Sequence, residues 1–219
     1  MGVKVAKFGG SSVADGIQLT KTKNIIKADP DRKYIVVSAP GKRFDSDNKI
    51  TDLLYLCKTH IDHNLPYDQI FQVVADRFMA VEINLGIEVD LIRHFDEIRE
   101  NLKKNPTADY VASRGEYLNA VLIAAFLEYD FVDTAGLIQF DSKGRLLAEE
   151  TNQALREELA NHERAVLPGF YGSAPDGTIR TFSRGGSDIT GALVAVSYTH
   201  LDVYKRQLFL WRECEKGIR

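Results

Sequence analysis

The segment that most constrains the fold is residues 3–39, where two strand-like runs flank a glycine turn and a helical stretch. Residues 3–8 read VKVAKF and meet GGSS at 9–12, and residues 34–39 read YIVVSA. The second run is β-branched and continuous, which is typical of a strand buried on both faces of a parallel sheet. Residues 13–28 carry apolar side chains at helical spacing. A strand, a helix and a strand of this length predict one right-handed βαβ unit.

The remainder of the chain predicts further helices and strands. Three amphipathic stretches fill an insertion at about residues 49–104, and each predicts a helix because its apolar side chains recur every three or four residues. A longer helix is predicted over 108–128, strands over 165–167 and 178–182, and a small-residue helix over 189–196. We therefore expect an α/β fold with a mostly parallel sheet, helices on both of its faces and a helical insertion.

Composition and charge exclude several classes of protein. The formal net charge is −3, so the 219-residue chain has no broad basic field that would hold nucleic acid. No apolar run approaches the roughly 20 residues needed to cross a bilayer, and the N-terminus lacks the pattern of a signal peptide. Cys57 and Cys214 form neither a metal-binding spacing nor a disulfide framework. These features predict a cytoplasmic protein that has neither nucleic-acid nor membrane partners.

The first segment with chemical potential is KFGGSS at residues 7–12. Consecutive glycines let the backbone approach an anion closely, and amides at a helix start donate to it. Lys7 at the end of the strand can neutralise charge on a phosphoryl group that is being transferred. The lysine precedes the glycines, so the segment is neither a Walker A loop nor a GxGxxG motif. The alternative is an ordinary turn with a surface lysine.

The second segment, SRGGSD at residues 183–188, crowds charged and small residues at one helix start. Arg184 suits bidentate capture of a carboxylate. Asp188 has an alternative interpretation as a charge that favours the helix N-terminus, and Ser187 as a cap.

The third segment, SRGE, begins at Ser113. Ser113 and Glu116 are three residues apart and therefore share a helix face. Gly115 costs about 1 kcal/mol relative to alanine in a helix interior, so it indicates close approach of a ligand, a backbone or a crossing helix. Ser38 follows the second strand, where ligands bind in open α/β sheets. Thr51 follows the charged loop and could act in the site or simply cap the next helix.

Six motifs occur in a fixed order along the chain: KFGGSS at 7–12, VVSAPGKR at 36–43, ITDLL at 50–54, SRGE at 113–116, PGFYG at 168–172 and FSRGGSDITG at 182–191. Together they resemble the amino-acid kinase family, and within it the aspartokinase branch. The resemblance covers residues 1–196. It implies a partial catalytic domain with the amino-acid kinase, or carbamate kinase-like, fold.

The resemblance also implies an activity. The family's aspartate branch uses ATP to phosphorylate the β-carboxylate of L-aspartate, which gives 4-phospho-L-aspartate and opens lysine, threonine, methionine and isoleucine biosynthesis. Mg²⁺ would be carried by ATP, with no metal site on the protein, and the full-length parent would be a homo-oligomer. Two alternatives stay open: a sister specificity for glutamate or N-acetylglutamate, and a truncated, non-catalytic amino-acid-binding module.

The resemblance assigns roles to residues of this sequence. Lys7 would stabilise the transferring phosphoryl group, and Asp188 would orient Lys7 and the phosphates. Glu116 would hold the aspartate ammonium and Arg184 its α-carboxylate. The remaining positions divide into a set that lines the nucleotide phosphates (Gly9, Gly10, Ser11, Gly185 and Gly186) and a set that places the substrate (Ser38, Thr51 and Ser187).

Residues 197–219 depart from the family pattern, and we expect them to be foreign or misread sequence. In the family, further nucleotide-binding segments and regulatory ACT domains follow the SRGGSDITG helix, and they do not follow it here. The chain as written is therefore expected to be inactive or poorly folded.

Overall fold

The computed structural model describes residues 2–183 and 185–198. Arg184 lies outside the described residues, and so does the segment 199–219 of the predicted foreign tail. The last described helix continues past the predicted boundary at 196. Its Ser197 is buried, and the Ser197 hydroxyl donates to Asn152 Oδ1 at 3.0 Å.

Four strands form one parallel sheet in the order β1-β2-β4-β3, and two short strands form a separate antiparallel pair, β5 with β6. The strands are β1 (Lys4–Phe8), β2 (Arg32–Val37), β3 (Asp130–Phe131), β4 (Ala165–Pro168), β5 (Tyr171–Ser173) and β6 (Ile179–Thr181). The predicted βαβ unit and the mostly parallel sheet are confirmed. The sequence did not predict β5, which has only three residues.

The helices surround this sheet. They are α1 (Gly16–Lys27), α2 (Ile50–Asp62), α3 (Asp68–Leu85), α4 (Leu91–Leu102), α5 (Ala108–Leu127), α6 (Ala148–Leu159) and α7 (186–198). The three helices predicted in the insertion are present as α2, α3 and α4.

The first predicted helix, 13–28, divides into two parts. Residues Gly10–Val13 form a 3₁₀ turn, and α1 begins only at Gly16. The cause is Asp15, which is the N-cap of α1. Its carboxylate accepts a hydrogen bond from Gln18 N at 2.8 Å, and this fixes the first residue of the helix as Gly16. The glycine turn after β1 is thereby separated from α1.

Alternate side chains of β2 enter two different cores. Ile35 and Val37 pack into a large cluster with α1 to α5, whereas Tyr34 and Val36 pack against α6 and α7. This two-sided burial confirms the prediction of helices on both faces. The large cluster holds apolar side chains of the insertion together with those of the sheet, so α2, α3 and α4 share one core with it.

Helix α5 is an interior helix: 14 of its 20 residues are buried. It contacts α2 on one side and β4 and β6 on others. The SRGE motif lies in its first half and is therefore brought to the sheet. Among the described residues, no helix combines the length and apolar character needed to cross a membrane.

Gly172 in β5 provides a test of this packing. A β-carbon at Gly172 would lie 2.1 Å from the carbonyl oxygen of Ile138, a backbone atom that cannot move aside. We expect Gly172→Ala to lower the free energy of unfolding by about 2 kcal/mol in urea, with an unchanged m-value. Gly136→Ala is the matched control, because a β-carbon there meets no atom within 4 Å. Equal stabilities of the two variants would contradict this packing.

Candidate active site

The site forms where the carboxyl ends of β1 and β2 meet the start of α7. Lys7 lies near the end of β1, and its Nζ is 2.8 Å from Asp188 Oδ1 in the first turn of α7. The stem of Lys7 runs along Gly191, where a β-carbon would lie 3.4 Å from Lys7 Cβ. A β-carbon at Gly9 would lie 3.6 Å from Lys7 Nζ. The structure therefore brings the two predicted catalytic residues together.

The Lys7–Asp188 pair is open to solvent, with side chains 26% and 72% exposed. An ion pair this exposed contributes about 0–1 kcal/mol to stability. The pair matters more for position than for stability, because it holds the ammonium group at the strand end while leaving it accessible to solvent.

The turn after β1 and the loop after β2 touch backbone to backbone. Gly41 N donates to Gly10 O at 2.8 Å, and a β-carbon at Gly10 would lie 2.9 Å from Ala39 O. A β-carbon at Gly41 would lie 2.8 Å from Gly10 C. Only glycine permits this approach. Ser11, the next residue of the turn, is exposed.

The start of α7 is anchored to the end of β4. Gly185 has a φ of 60° and its carbonyl accepts from Asp188 N at 2.9 Å. The Thr190 hydroxyl donates to Gly186 O at 2.9 Å and accepts from Phe170 N at 3.1 Å. Ser187 is buried against Gly169, the residue that follows β4. Thr190 was not predicted from the sequence.

Glu116 is the buried acid of the site. Its side chain is 5% exposed, and Oε2 has no hydrogen-bond partner among the described residues. Burial raises the pKa of Glu116 from 4.5 to about 8, although a hydrogen bond with the Ala39 backbone and the charge of Arg114 oppose the rise. A cation that reached Oε2 would stabilise the charged form.

Two predicted substrate residues flank the loop after β2. Ser38 is held by its backbone: its N donates to Phe8 O at 3.1 Å, and its carbonyl accepts from Asn119 Nδ2 at 2.7 Å. Asn119 was not predicted, although it lies three residues after Glu116 on the same helix face. Thr51 lies in the first turn of α2, whose N-cap is Lys49, so its interpretation as the capping residue is wrong.

The glycine of SRGE is explained by packing. A β-carbon at Gly115 would lie 2.8 Å from Ala39 Cβ and 3.2 Å from Ile50 Cγ2. Among the open interpretations of Gly115, the approach of α2 and of the Ala39 segment is therefore the correct one. That approach also places Ala39 beside Glu116.

Arg114 was missed by the sequence analysis. It is 7% exposed, and its guanidinium carbon lies 4.6 Å from the ring centres of Tyr110 and Tyr117 and 5.4 Å from that of Tyr171. Such cation–π contacts stabilise a buried guanidinium. The signal was available, since Tyr110 and Tyr117 lie four residues before and three residues after Arg114 on α5.

No group of three or more histidine, cysteine or acidic side chains gathers within 2–183 and 185–198 to hold a metal ion. Mg²⁺ commonly binds through one or two carboxylates together with substrate phosphates. The described residues are therefore compatible with a Mg²⁺ that arrives on a nucleotide.

Comparison with known proteins gives a consistent result. The sequence model of the amino acid kinase family matches residues 2–199. Aspartokinase 3 of Bacillus subtilis is 38% identical over 212 residues, which cover 88% of this chain and 46% of that protein. Lysine-sensitive aspartokinase 3 of Escherichia coli is 26% identical over 223 residues, with coverages of 88% and 46%.

Solved structures agree with the sequence comparison. Clostridium acetobutylicum aspartate kinase matches with a TM-score of 0.88 and 42% identity, over 91% of this chain and 46% of that chain. Escherichia coli aspartokinase III in complex with aspartate and ADP matches with a TM-score of 0.73 at 22% identity, over 89% and 46%, and supports the fold alone. The chain thus spans less than half the length of these relatives.

The burial of Glu116 predicts a pH-dependent stability. Between about pH 4.5 and 8 the folded protein keeps a proton that the unfolded chain has lost, so stability falls as pH rises through this window. Glu116→Gln lacks this dependence. We expect both proteins to unfold at similar urea concentrations near pH 4.5, and the variant to be more stable by on the order of 4 kcal/mol at pH 9.

The control for this comparison is Glu157→Gln, which removes an exposed carboxylate on α6. A stability difference between Glu116→Gln and the parent that stays constant from pH 4.5 to 9 would show that Glu116 is not desolvated as described.

Proposed function

Because this chain belongs to the amino acid kinase family, we propose that the protein transfers the γ-phosphoryl group of ATP to the β-carboxylate of L-aspartate. The observation that carries the proposal is that a lysine and a buried acid lie at the same end of two adjacent strands. Lys7 lies near the carboxyl end of β1, and the buried Glu116 side chain lies beside Ala39, just after β2. The product is 4-phospho-L-aspartate, which opens lysine, threonine, methionine and isoleucine biosynthesis.

The chemistry requires positive charge rather than a general base. The attacking β-carboxylate has an ordinary pKa near 3.9 and is already deprotonated at pH 7. Two anions, the carboxylate and the triphosphate, must approach each other, and catalysis of this kind rests on alignment and electrostatic stabilisation. Lys7 supplies a cation at the strand end, and Asp188 holds Lys7 Nζ in place.

The nucleotide would be held by backbone amides of the two glycine segments. ATP supplies the phosphoryl group. The residues that would line its phosphates are Gly9, Gly10, Ser11, Gly185 and Gly186. Gly9 favours this role, since a β-carbon there would lie 3.6 Å from Lys7 Nζ and its absence leaves the ammonium open to an anion.

Glu116 would select for a free amino group. Its Oε2 lacks a partner among the described residues, and a substrate ammonium would supply one. Arg184, outside the described residues, would bind the α-carboxylate, and Ser38, Thr51 and Ser187 would place the substrate. Mg²⁺ carried by ATP, a homo-oligomeric parent protein and a cytoplasmic location stay predictions from the family resemblance.

A substrate panel tests the proposal and its alternatives. The protein as its gene encodes it is incubated with ATP and L-aspartate, L-glutamate or N-acetyl-L-glutamate, and acyl phosphate is trapped with hydroxylamine. We expect hydroxamate with L-aspartate. Product with only a sister substrate would favour the sister specificity, and aspartate binding without product would favour a binding module.

The pH dependence of binding separates the substrates further. The charged form of Glu116 matches an ammonium, so L-aspartate affinity should rise between pH 6.5 and 9 as the carboxyl with a pKa of about 8 loses its proton. The acetylated amine of N-acetyl-L-glutamate carries no charge, so the affinity for this substrate should not rise with pH. Calorimetric titration at both pH values measures this. In Glu116→Gln the rise for L-aspartate should disappear.

Lys7 provides the test of phosphoryl transfer. We expect Lys7→Met to lower kcat by about 10²–10³-fold, the usual effect of removing one transition-state donor, with a smaller change in the KM for aspartate. Lys4→Met is the matched control, because Lys4 lies on the same strand, is more exposed and pairs with Asp29 at 2.7 Å. Equal losses in the two variants would argue against a special role for Lys7.

A further inference from the structure

A second buried cation, Arg77 on α3, lies outside every segment predicted to act in the site. Arg77 is 6% exposed. Its guanidinium donates to the carbonyl oxygens of Gly41 and Asn48, the latter at 2.6 Å, and approaches Asp47 Oδ2 at 3.3 Å. One side chain therefore grips both ends of the loop between β2 and α2, which we call the 41–48 loop.

The charge of Arg77 is balanced within the loop itself. Asp47 accepts hydrogen bonds from Arg43 N at 3.0 Å and from Arg43 Nε at 2.8 Å. The two neighbouring guanidinium groups hold the pKa of Asp47 well below its usual value, and burial lowers the pKa of Arg77. The loop thus supplies Asp47 as the counterion of Arg77 on α3.

Arg77 donates to the carbonyl oxygen of Gly41, and Gly41 also contacts the glycine turn after β1. Gly41 donates its amide to Gly10 O at 2.8 Å. Immediately before it, the Pro40 carbonyl accepts from Ile50 N at 3.2 Å, and the Ala39 backbone bonds to Glu116. Fixing Gly41 therefore fixes both the turn and the backbone beside Glu116.

Core packing alone does not account for an arginine at this position. Taking a guanidinium out of water carries a desolvation cost, and a well-packed apolar side chain often serves a core equally well or better. The neighbouring positions on the buried face of α3, Val74, Phe78 and Val81, are apolar. What the arginine adds is a rigid fork that can bind two carbonyl oxygens at once.

We propose that Arg77 is a positioning residue for the active site, which fixes the 41–48 loop from α3 and, through Gly41, places the glycine turn and the Ala39 backbone. This inference rests on the proposed aspartate kinase activity. It assigns to the helical insertion a direct part in shaping the substrate site.

The test compares Arg77→Met and Arg77→Lys with Arg93→Met, a control at an exposed arginine on α4. Arg77→Met should raise the KM for both aspartate and ATP about tenfold or more, while kcat changes less than about threefold, because no described contact joins the Lys7–Asp188 pair to the loop. Arg77→Lys should be intermediate, since an ammonium can keep one carbonyl partner. A merely structural role would lower the active fraction, and hence kcat, without changing KM.

Amide hydrogen exchange provides a readout that does not depend on catalysis. Exchange of the Gly41 amide should be faster in both Arg77 variants and unchanged in Arg93→Met. Unchanged KM values together with unchanged exchange in Arg77→Lys would overturn the inference, even if Arg77→Met fails to fold. Faster Gly41 exchange in a protein whose unmodified form does not phosphorylate aspartate would support the positioning contact and reject the proposed function.

Discussion

The site depends on one contact, the hydrogen bond between the Gly41 amide and the Gly10 carbonyl. It exists because β1 and β2 are parallel and in register, with Phe8 opposite Val37, so that the segments that follow both strands emerge side by side. The space between them is too small for a β-carbon on either glycine. Lys7 lies shortly before this contact on β1, and Ala39, whose backbone bonds to Glu116, lies shortly before it in the segment that follows β2. A shift of one backbone would therefore displace the glycine turn relative to the backbone that bonds to Glu116.

The two ionisable groups of the site lie in opposite environments, and each environment suits the role that we propose for the group. Lys7 is partly exposed, which suits the contact with a highly charged phosphate that we propose for it. Glu116 is buried with one oxygen lacking a partner among the described residues, so the ligand-free protein bears an unfavourable term that a bound ammonium would relieve. In the proposed function this arrangement would give selectivity, because only a ligand with a cation stabilises the ionised form of Glu116.

Sequence reasoning succeeded for most elements whose signal is local. The βαβ unit, the three helices of the insertion and the helix that carries SRGE all follow from apolar periodicity within single segments. It failed where the decisive partner is distant in sequence. Arg77 is one charge among apolar neighbours on a buried helix face, which was a visible anomaly, but its partners in the 41–48 loop are about thirty residues away and only the fold joins them. The three-residue strand β5 is too short for periodicity to register. Thr51 was open to two interpretations because its position relative to the helix start depends on where the loop ends.

Glu116 and Arg77 are both buried ionisable residues that bond to the backbone of the segment after β2. Each is a buried ionisable side chain on a helix, and each carries a desolvation cost that a hydrophobic residue at the same position would not. They come from different helices, α5 and α3, and belong to different parts of the sequence. Yet both are bonded to backbone groups of the same short stretch, Glu116 to Ala39 and Arg77 to Gly41. Proteins tend to break local rules of core composition at functional sites. Two such departures that converge on one stretch of backbone are most simply explained by what that stretch must do, which is to hold the carboxyl edge of β2 in place against the glycine turn of β1.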